Sequence, residues 1–223
     1  YSRWINKRQA KQFLSMANLP LNMATRIVDL GCAKGDLVLG FTDCGCDACG
    51  IDISEQMVQA AQTKRINVVR GRFEDIEIPA NSIDLITSIK VYEHMSDLEA
   101  VLAKVKQVLK PDGVLIIQVP NDIDGYRRYI FRKIWWMIPP MHIRYFTYQS
   151  IENIFGRHGF RISKINTYGS VGADIGRIVT WFFKQRGLGG ITRKMAYRIG
   201  MKILLAMFIP IDGILNILKR HSE

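Results

Sequence analysis

Two glycine signatures are missing from this chain. It holds neither G-x-G-x-x-G nor G-x-x-x-x-G-K-[ST], so neither a dinucleotide fingerprint nor a P-loop is on offer. Acidic residues are scarce, 20 against 31 Lys and Arg, which leaves a formal net charge of +11. That balance favours anionic neighbours: nucleic acid, a phospholipid surface or a phosphorylated substrate. No secretory signal is read at the start, because Trp4, Lys7, Arg8 and Lys11 break it. The first residue is Tyr1, which points to a piece of a longer chain. No uninterrupted apolar run reaches the roughly 20 residues a spanning helix needs. Met201–Leu218 comes nearest, but Pro210, Asp212 and Gly213 interrupt it, and Lys202 and Asn216 dilute it. Repeats and low-complexity linkers are absent too.

Cysteine is sparse, at Cys32, Cys44, Cys46 and Cys49. The last three, as C-x-C-x-x-C, invite a zinc reading. Zinc sites usually draw ligands from two separated knuckles, whereas Cys49 falls inside a predicted strand and Cys32 inside a glycine turn. The alternative is small buried hydrophobes in a reducing cytoplasm. No convincing metal-ligand cluster is visible, so no metal is expected.

What is present is organised around Arg26–Gly35, RIVDLGCAKG. Ile27, Val28 and Leu30 make a short apolar run, the signature of a buried strand. It stops at Gly31, Gly35 follows, and an apolar helix begins. Strand, glycine turn and helix bring a ligand close to bare backbone at a helix N-terminus. Asp52 ends the next predicted strand, where an acid accepts hydrogen bonds from ribose hydroxyls; its alternative is a strand-end helix cap. With 223 residues and 48% hydrophobic content, the chain has room for one domain, or one domain with an elaboration.

Helices are predicted over Ser2–Ala17, about Lys34–Phe41, from the Ser54 N-cap through Ala61, and over Asp97–Lys110. Strands are predicted over Arg26–Leu30, Asp47–Ile53, Ile66–Val69, Ile83–Ile89, Val114–Val119 and Phe160–Tyr168, with Pro111–Gly113 as a turn. The alternation implies a parallel sheet wrapped on both faces.

Asp29–Gly35 resembles the first motif of class I S-adenosylmethionine (SAM)-dependent methyltransferases, D-[LI]-G-[CS]-G-x-G, with Ala33 in place of the middle glycine. Gly71–Pro79 is similar to that family's G-D-x-E-x-L-P, and Ser82–Ser88 to its S-F-D-L-V strand. Val91–Met95 resembles L-E-H-V, and Leu109–Leu115 resembles L-K-P-G-G-x-L. Met141–Thr147 and Phe155–Phe160 are similar to H-x-x-x-F-[ST] and L-x-x-x-G-F. The resemblance runs from about Arg26 to Tyr168 and is to the branch of quinone-biosynthesis and natural-product O- and C-methyltransferases. It implies a Rossmann-like, doubly wound, mostly parallel α/β fold. Residues 1–170 would form the SAM-binding domain, and 171–223 a helical extension packed on it.

The resemblance implies SAM as cofactor and S-adenosylhomocysteine as product. The cofactor set it implies is Asp29, Gly31, Cys32, Ala33, Gly35, Asp52, Ile53, Met57, Phe73, Glu74, Ser88 and Ile89. Arg72 stands where the family often has Asp near the adenine, so Phe73 and Glu74 take that place. Asp29 either holds the glycine loop or touches the ligand. Glu93 and His94 are acid/base groups or a structural pair under the cofactor. His142 is the candidate general base, since a neutral imidazole suits removal of a hydroxyl proton near pH 7; its alternative is a satisfied loop histidine. Trp135–Pro140 is a substrate lid or a wedge on the core.

In this fold a final hairpin usually follows the sixth strand. Here Gly172–Arg220 stands in its place, the apolar Met201–Leu218 that closes it reads as two helices broken at Pro210, and no final strand is expected after Leu218. Basic residues from Lys184 to Lys202 beside an apolar stretch suggest peripheral contact with an anionic membrane; a pocket cap or a dimer face are the other readings. The function implied is transfer of a methyl group from SAM to a small-molecule or lipid-like acceptor, in the cytoplasm or at a membrane surface. A non-catalytic SAM-binding module is the rival. A nucleic-acid methyltransferase is the second rival, against which Ser88–His94 lacks [DNS]-P-P-[YFW]. Nucleic acid is therefore not an expected partner, and the oligomeric state is left open.

Overall fold

Ile27, Val28 and Leu30 are buried on both faces of β1 (Arg26–Leu30), as the apolar run requires. This is the centre of a computed structural model that describes residues 2–120, 141–167 and 214–220. One unit comprises Tyr1–Ile165 with Leu215–Glu223, and a second spans Asn166–Ile214. The account below concerns the first.

Six helices and strands succeed one another from the start. They are α1 (Ser2–Ala17), β1, α2 (Asp36–Thr42), β2 (Asp47–Asp52), α3 (Glu55–Thr63) and β3 (Val68–Arg70). Next come β4 (Ile83–Ile89), α4 (Leu98–Val108), β5 (Leu109–Val119), α5 (Tyr148–Arg157), β6 (Phe160–Thr167) and β7 (Ile214–Arg220). One sheet holds these seven strands in the order β3-β2-β1-β4-β5-β7-β6, and the pairings from β3 through β5 are parallel. Strand order reverses between β1 and β4. In open α/β sheets, that switch point opens a crevice beyond the strands' carboxyl ends.

α1 buries Ala10, Phe13, Leu14 and Ala17, the i, i+3, i+4, i+7 stripe, in the core that holds Val38 and Phe41 of α2. The two helices pack so closely that a Cβ on Gly40 would stand 2.4 Å from the Asn6 carbonyl oxygen. Ser54 caps α3 by accepting from the Met57 amide, and Asp97 caps α4 by accepting from Ala100.

The structure corrects three readings of the sequence. α2 starts at Asp36, because Ala33 and Gly35 hold φ of +48° and +72° and keep the turn out of helical geometry. α4 ends at Val108, not Lys110, since the residue before Pro111 is biased towards extended backbone. Pro111–Gly113 is absorbed into β5 as a register jump: Ile83 pairs with Leu109, and Leu85 already with Val114.

The largest correction concerns the tail. Ile214–Arg220 is a strand, β7, seated between β5 and β6, where the sequence suggested helix and no final strand. A short apolar run inside a sheet carries no periodicity of its own, so it reads equally well as buried helix. Trp135–Pro140 and the predicted helical stretch from 171 to 213 lie outside the described residues.

Candidate functional site

The carboxyl ends of β1 to β4 deliver the candidate residues. Gly31 turns the chain out of β1 at φ +66°, and its Cβ would lie 2.4 Å from a Val91 methyl. The Gly31 and Cys32 amides donate to the Ile51 carbonyl at 2.8 and 3.2 Å, and Gly35 closes the turn onto the Cys32 carbonyl at 2.9 Å. Cys32 itself is buried, and Gly50 leaves room for its sulfur, which a Cβ there would approach to 2.5 Å. Burial pushes its thiol pKa up, so its side chain packs beneath the turn while its backbone forms it.

Ala33 adopts the left-handed conformation and donates its amide to Asp52 Oδ2 at 2.8 Å; Asp52 Oδ1 accepts from Ser54 at 2.8 Å. Each carboxylate oxygen has further lone pairs, so Asp52 can accept from a ligand without giving up either amide. It stands on a cleft of about 540 Å³, within the size range of small-molecule sites. Ile53, Phe73, Glu74, Lys90 and His94 share that cleft. Ile53 is 71% exposed, an apolar wall of the cleft, whereas Phe73 is buried. Glu74 pairs with Arg72 at 2.8 Å.

A second cavity of about 430 Å³ shares Gly31 and adds Asp29, Cys32, Ala33, Met57 and Ile89. Asn6 and Gln9 of α1 also reach it. Asp29 is buried and accepts from Thr87 Oγ1 at 2.6 Å. Its pKa is pushed up to about 7, chiefly by burial, with the Thr87 hydrogen bond opposing and the Asp52 charge adding. Ser88 is fully buried, and its Oγ has no hydrogen-bond partner.

Beyond β4, a 3-10 turn carries Tyr92, Glu93 and His94. The chain returns beside it at Met141–Thr147. The Glu93 carbonyl accepts from the Ile143 and Arg144 amides at 3.0 and 3.2 Å. Arg144 donates to the Met95 and Ser96 carbonyls at 2.9 and 2.7 Å, and His94 Nδ1 donates to the Met141 carbonyl at 2.6 Å. These bonds bring the His94 and His142 rings edge to face, 4.8 Å between centroids, with Tyr145 6.4 Å from His142. Glu93 is buried, and one ligand atom from each of Glu93, His94 and His142 lies within 4.8 Å of the others. The cysteines form no such grouping; burial raises the thiol pKa of Cys44, Cys46 and Cys49 as well.

The structure therefore groups Asp52, Ile53, Phe73 and Glu74 on one cleft, Asp29, Met57 and Ile89 on the next, and the His94–His142 pair at the first cleft's edge. Sequence reasoning missed Asn6, Gln9, Thr87 and Lys90. Asn6 and Gln9 are half-buried polar residues one turn apart on α1, upstream of its buried stripe of Ala10, Phe13, Leu14 and Ala17. Lys90 adopts φ +60°, a left-handed lysine at a strand end, and nothing in its neighbours' identities signals that.

The parallel sheet with its crevice, glycine turn and strand-end acid is that of a Rossmann-like fold of the class I methyltransferase type. The chain belongs to the methyltransferase-domain family, which matches residues 1–165. It is 28% identical over 119 residues to a ubiquinone biosynthesis O-methyltransferase of Rhodopseudomonas palustris, covering 51% of this chain and 45% of that protein. A malonyl-[acyl-carrier protein] O-methyltransferase of Enterobacter lignolyticus is 28% identical over 102 residues, with 45% and 41% covered. The chain thus spans somewhat under half the length of these curated relatives. A SAM-dependent methyltransferase from Archaeoglobus fulgidus superposes with a TM-score of 0.65 at 19% identity, over 98% of this chain and 94% of that one.

Proposed function

We propose that the chain transfers a methyl group from SAM to a small-molecule or lipid-like acceptor, at oxygen or carbon. The observation that carries this reading is the Asp52 carboxylate, held by two backbone amides at the mouth of the 540 Å³ cleft. A carboxylate fixed there suits a ribose diol, and exposed Ile53 suits the flat face of a base. The Gly31 turn lets a ligand approach backbone where a Cβ has no room.

When bound, SAM supplies a methyl group already activated on a sulfonium. The residues then need to align the acceptor, exclude water and, for a hydroxyl, help its proton leave. Alignment alone accounts for much of the rate such a site requires. Asp52, Ile53, Phe73 and Glu74 hold the nucleoside end. Asp29, the Gly31–Gly35 turn, Met57, Ser88 and Ile89 hold the amino-acid end. The acceptor lies towards His94 and His142, with His142 the candidate proton acceptor. Relatives that methylate oxygen support a small-molecule acceptor.

The reading includes peripheral contact with an anionic membrane, supported by the net charge of +11. Among the described residues no helix is long and apolar enough to cross a membrane. Because β7 takes Ile214–Leu218 into the sheet, that stretch is not the membrane-facing apolar segment. The test is calorimetric titration of the full chain with S-adenosylhomocysteine, together with mass spectrometry of ligands that copurify. Micromolar binding and a copurifying adenosyl compound are expected. Absence of both overturns the proposal.

A further inference from the structure

We propose that Glu93, His94 and His142 form a binding site for a divalent transition-metal ion at the acceptor end of the cleft. The inference rests on the methyltransferase reading above for its role, but not for its test. Two imidazoles and one carboxylate are a donor set that suits Zn²⁺, Fe²⁺ or Co²⁺. One ligand atom from each residue already lies within 4.8 Å of the others. Metal–nitrogen and metal–oxygen bonds of about 2.1 Å put ligand atoms roughly 3.4 Å apart, so from separations within 4.8 Å the trio closes by at most about 1.4 Å.

Three features make this more than a chance grouping. His94 Nδ1 donates to the Met141 carbonyl at 2.6 Å, which fixes the tautomer and leaves Nε2 with its lone pair. Ligating histidines are held in this way by their other nitrogen. His142 Nδ1 is buried and makes no hydrogen bond, a costly state for a ring nitrogen unless something supplies a partner. The segment bearing His142 is tied to the Glu93–Ser96 turn by the bonds from Ile143 and Arg144. The two ligand-bearing pieces are thus set against each other by backbone as well as by side chains.

A cation here binds a hydroxyl oxygen of the acceptor and lowers its pKa, so that the proton leaves to solvent and the oxygen lone pair is freed for attack. His142 is then a ligand, and direct proton transfer to it is unnecessary. His94 opens onto the cleft that Asp52 lines, so the ion and the nucleoside share one cleft, with the ion on the acceptor side.

The test uses the full chain stripped by chelator, dialysed against Co²⁺ alone and Zn²⁺ alone, with the Co²⁺ absorption spectrum recorded. One equivalent of ion is expected, with visible bands and no thiolate charge-transfer band. His94→Asn and His142→Asn are each expected to weaken binding at least tenfold, judged by what losses around a metal site cost. On the wild-type chain, Co²⁺ is expected to shift or broaden the NMR signals of His94, His142 and Ile143 first, a readout that needs no variant to fold. A thiolate band, signals perturbed elsewhere, unchanged affinity in both variants, or no binding at 0.1 mM Co²⁺ (on the order of the weakest affinity useful to a resident ion) overturns the proposal. S-adenosylhomocysteine titrated into the same samples separates the two readings. Binding of the nucleoside without the ion overturns the metal site alone, and binding of the ion without the nucleoside overturns the methyltransferase reading alone.

Discussion

The Ala33 amide donates to the Asp52 carboxylate at 2.8 Å, joining the turn after β1 to the tip of β2. One acid thereby orients the glycine turn and presents itself to the cleft. The other oxygen, engaged by Ser54, prevents the carboxylate from rotating. Ligand recognition and loop geometry depend on the same side chain.

Asp52→Ala is accordingly expected to weaken S-adenosylhomocysteine binding by about 1–3 kcal/mol, the usual value of hydrogen bonds to a charged group. Calorimetric titration measures it, with circular dichroism as the fold control. Unchanged affinity in a natively folded variant refutes the ribose assignment.

Ala33 makes a complementary case. Its φ of +48° costs an L-residue with a Cβ roughly 1–2 kcal/mol. Ala33→Gly removes that strain but gives the unfolded chain more freedom, an opposing effect of about 0.4–1 kcal/mol. A net gain of up to about 1.6 kcal/mol follows, read as a rise of up to about 6 °C in Tm for a chain of this size. Thermal unfolding at fixed pH is the check, and a fall in Tm would mean that the methyl group packs against something useful.

Most of this architecture was legible from local signals. β1 and β4 and the whole of α1 coincide with their predicted spans because apolar periodicity and turn residues mark them. Asp52 at a strand end and Ser54 as a cap were legible for the same reason. What sequence alone could not show is held by long-range contacts. The Thr87–Asp29 hydrogen bond joins neighbouring strands, and the meeting of His94 with His142 depends on a chain return 47 residues away at Met141. For β7, the missing information was a pair of neighbouring strands, since isolated Ile-Leu-Asn-Ile-Leu fits either conformation.

Asp29 yields a pH dependence. Its folded pKa is about 7, whereas an unfolded aspartate titrates near about 4. Between those values the folded chain keeps a proton that the unfolded chain has lost, so raising the pH favours unfolding. The Asp29 contribution is expected to fall by at most about 1.4 kcal/mol per pH unit across this window and to level off above it. In Asp29→Asn, where Thr87 can still donate to the amide oxygen, that slope should vanish. Urea unfolding of both proteins from pH 4.5 to 8 measures it; parallel curves would show that Asp29 titrates normally.

The last expectation concerns β7. A strand seated between β5 and β6 supplies hydrogen bonds to both neighbours. Ending the chain at Gly213 therefore leaves two exposed strand edges where the sheet had none, and unpaired edges recruit other chains. The shortened protein is expected to melt lower than the full chain and to form higher-order species in size-exclusion chromatography. A tail that only capped the pocket or touched a membrane would predict the opposite: unchanged melting, unchanged elution and changed ligand or vesicle binding. Substitution of Asn216 by Pro, in the full chain, removes one backbone donor from the strand without shortening it. If that variant and the shortened chain both melt like the parent, β7 is not part of the stable sheet.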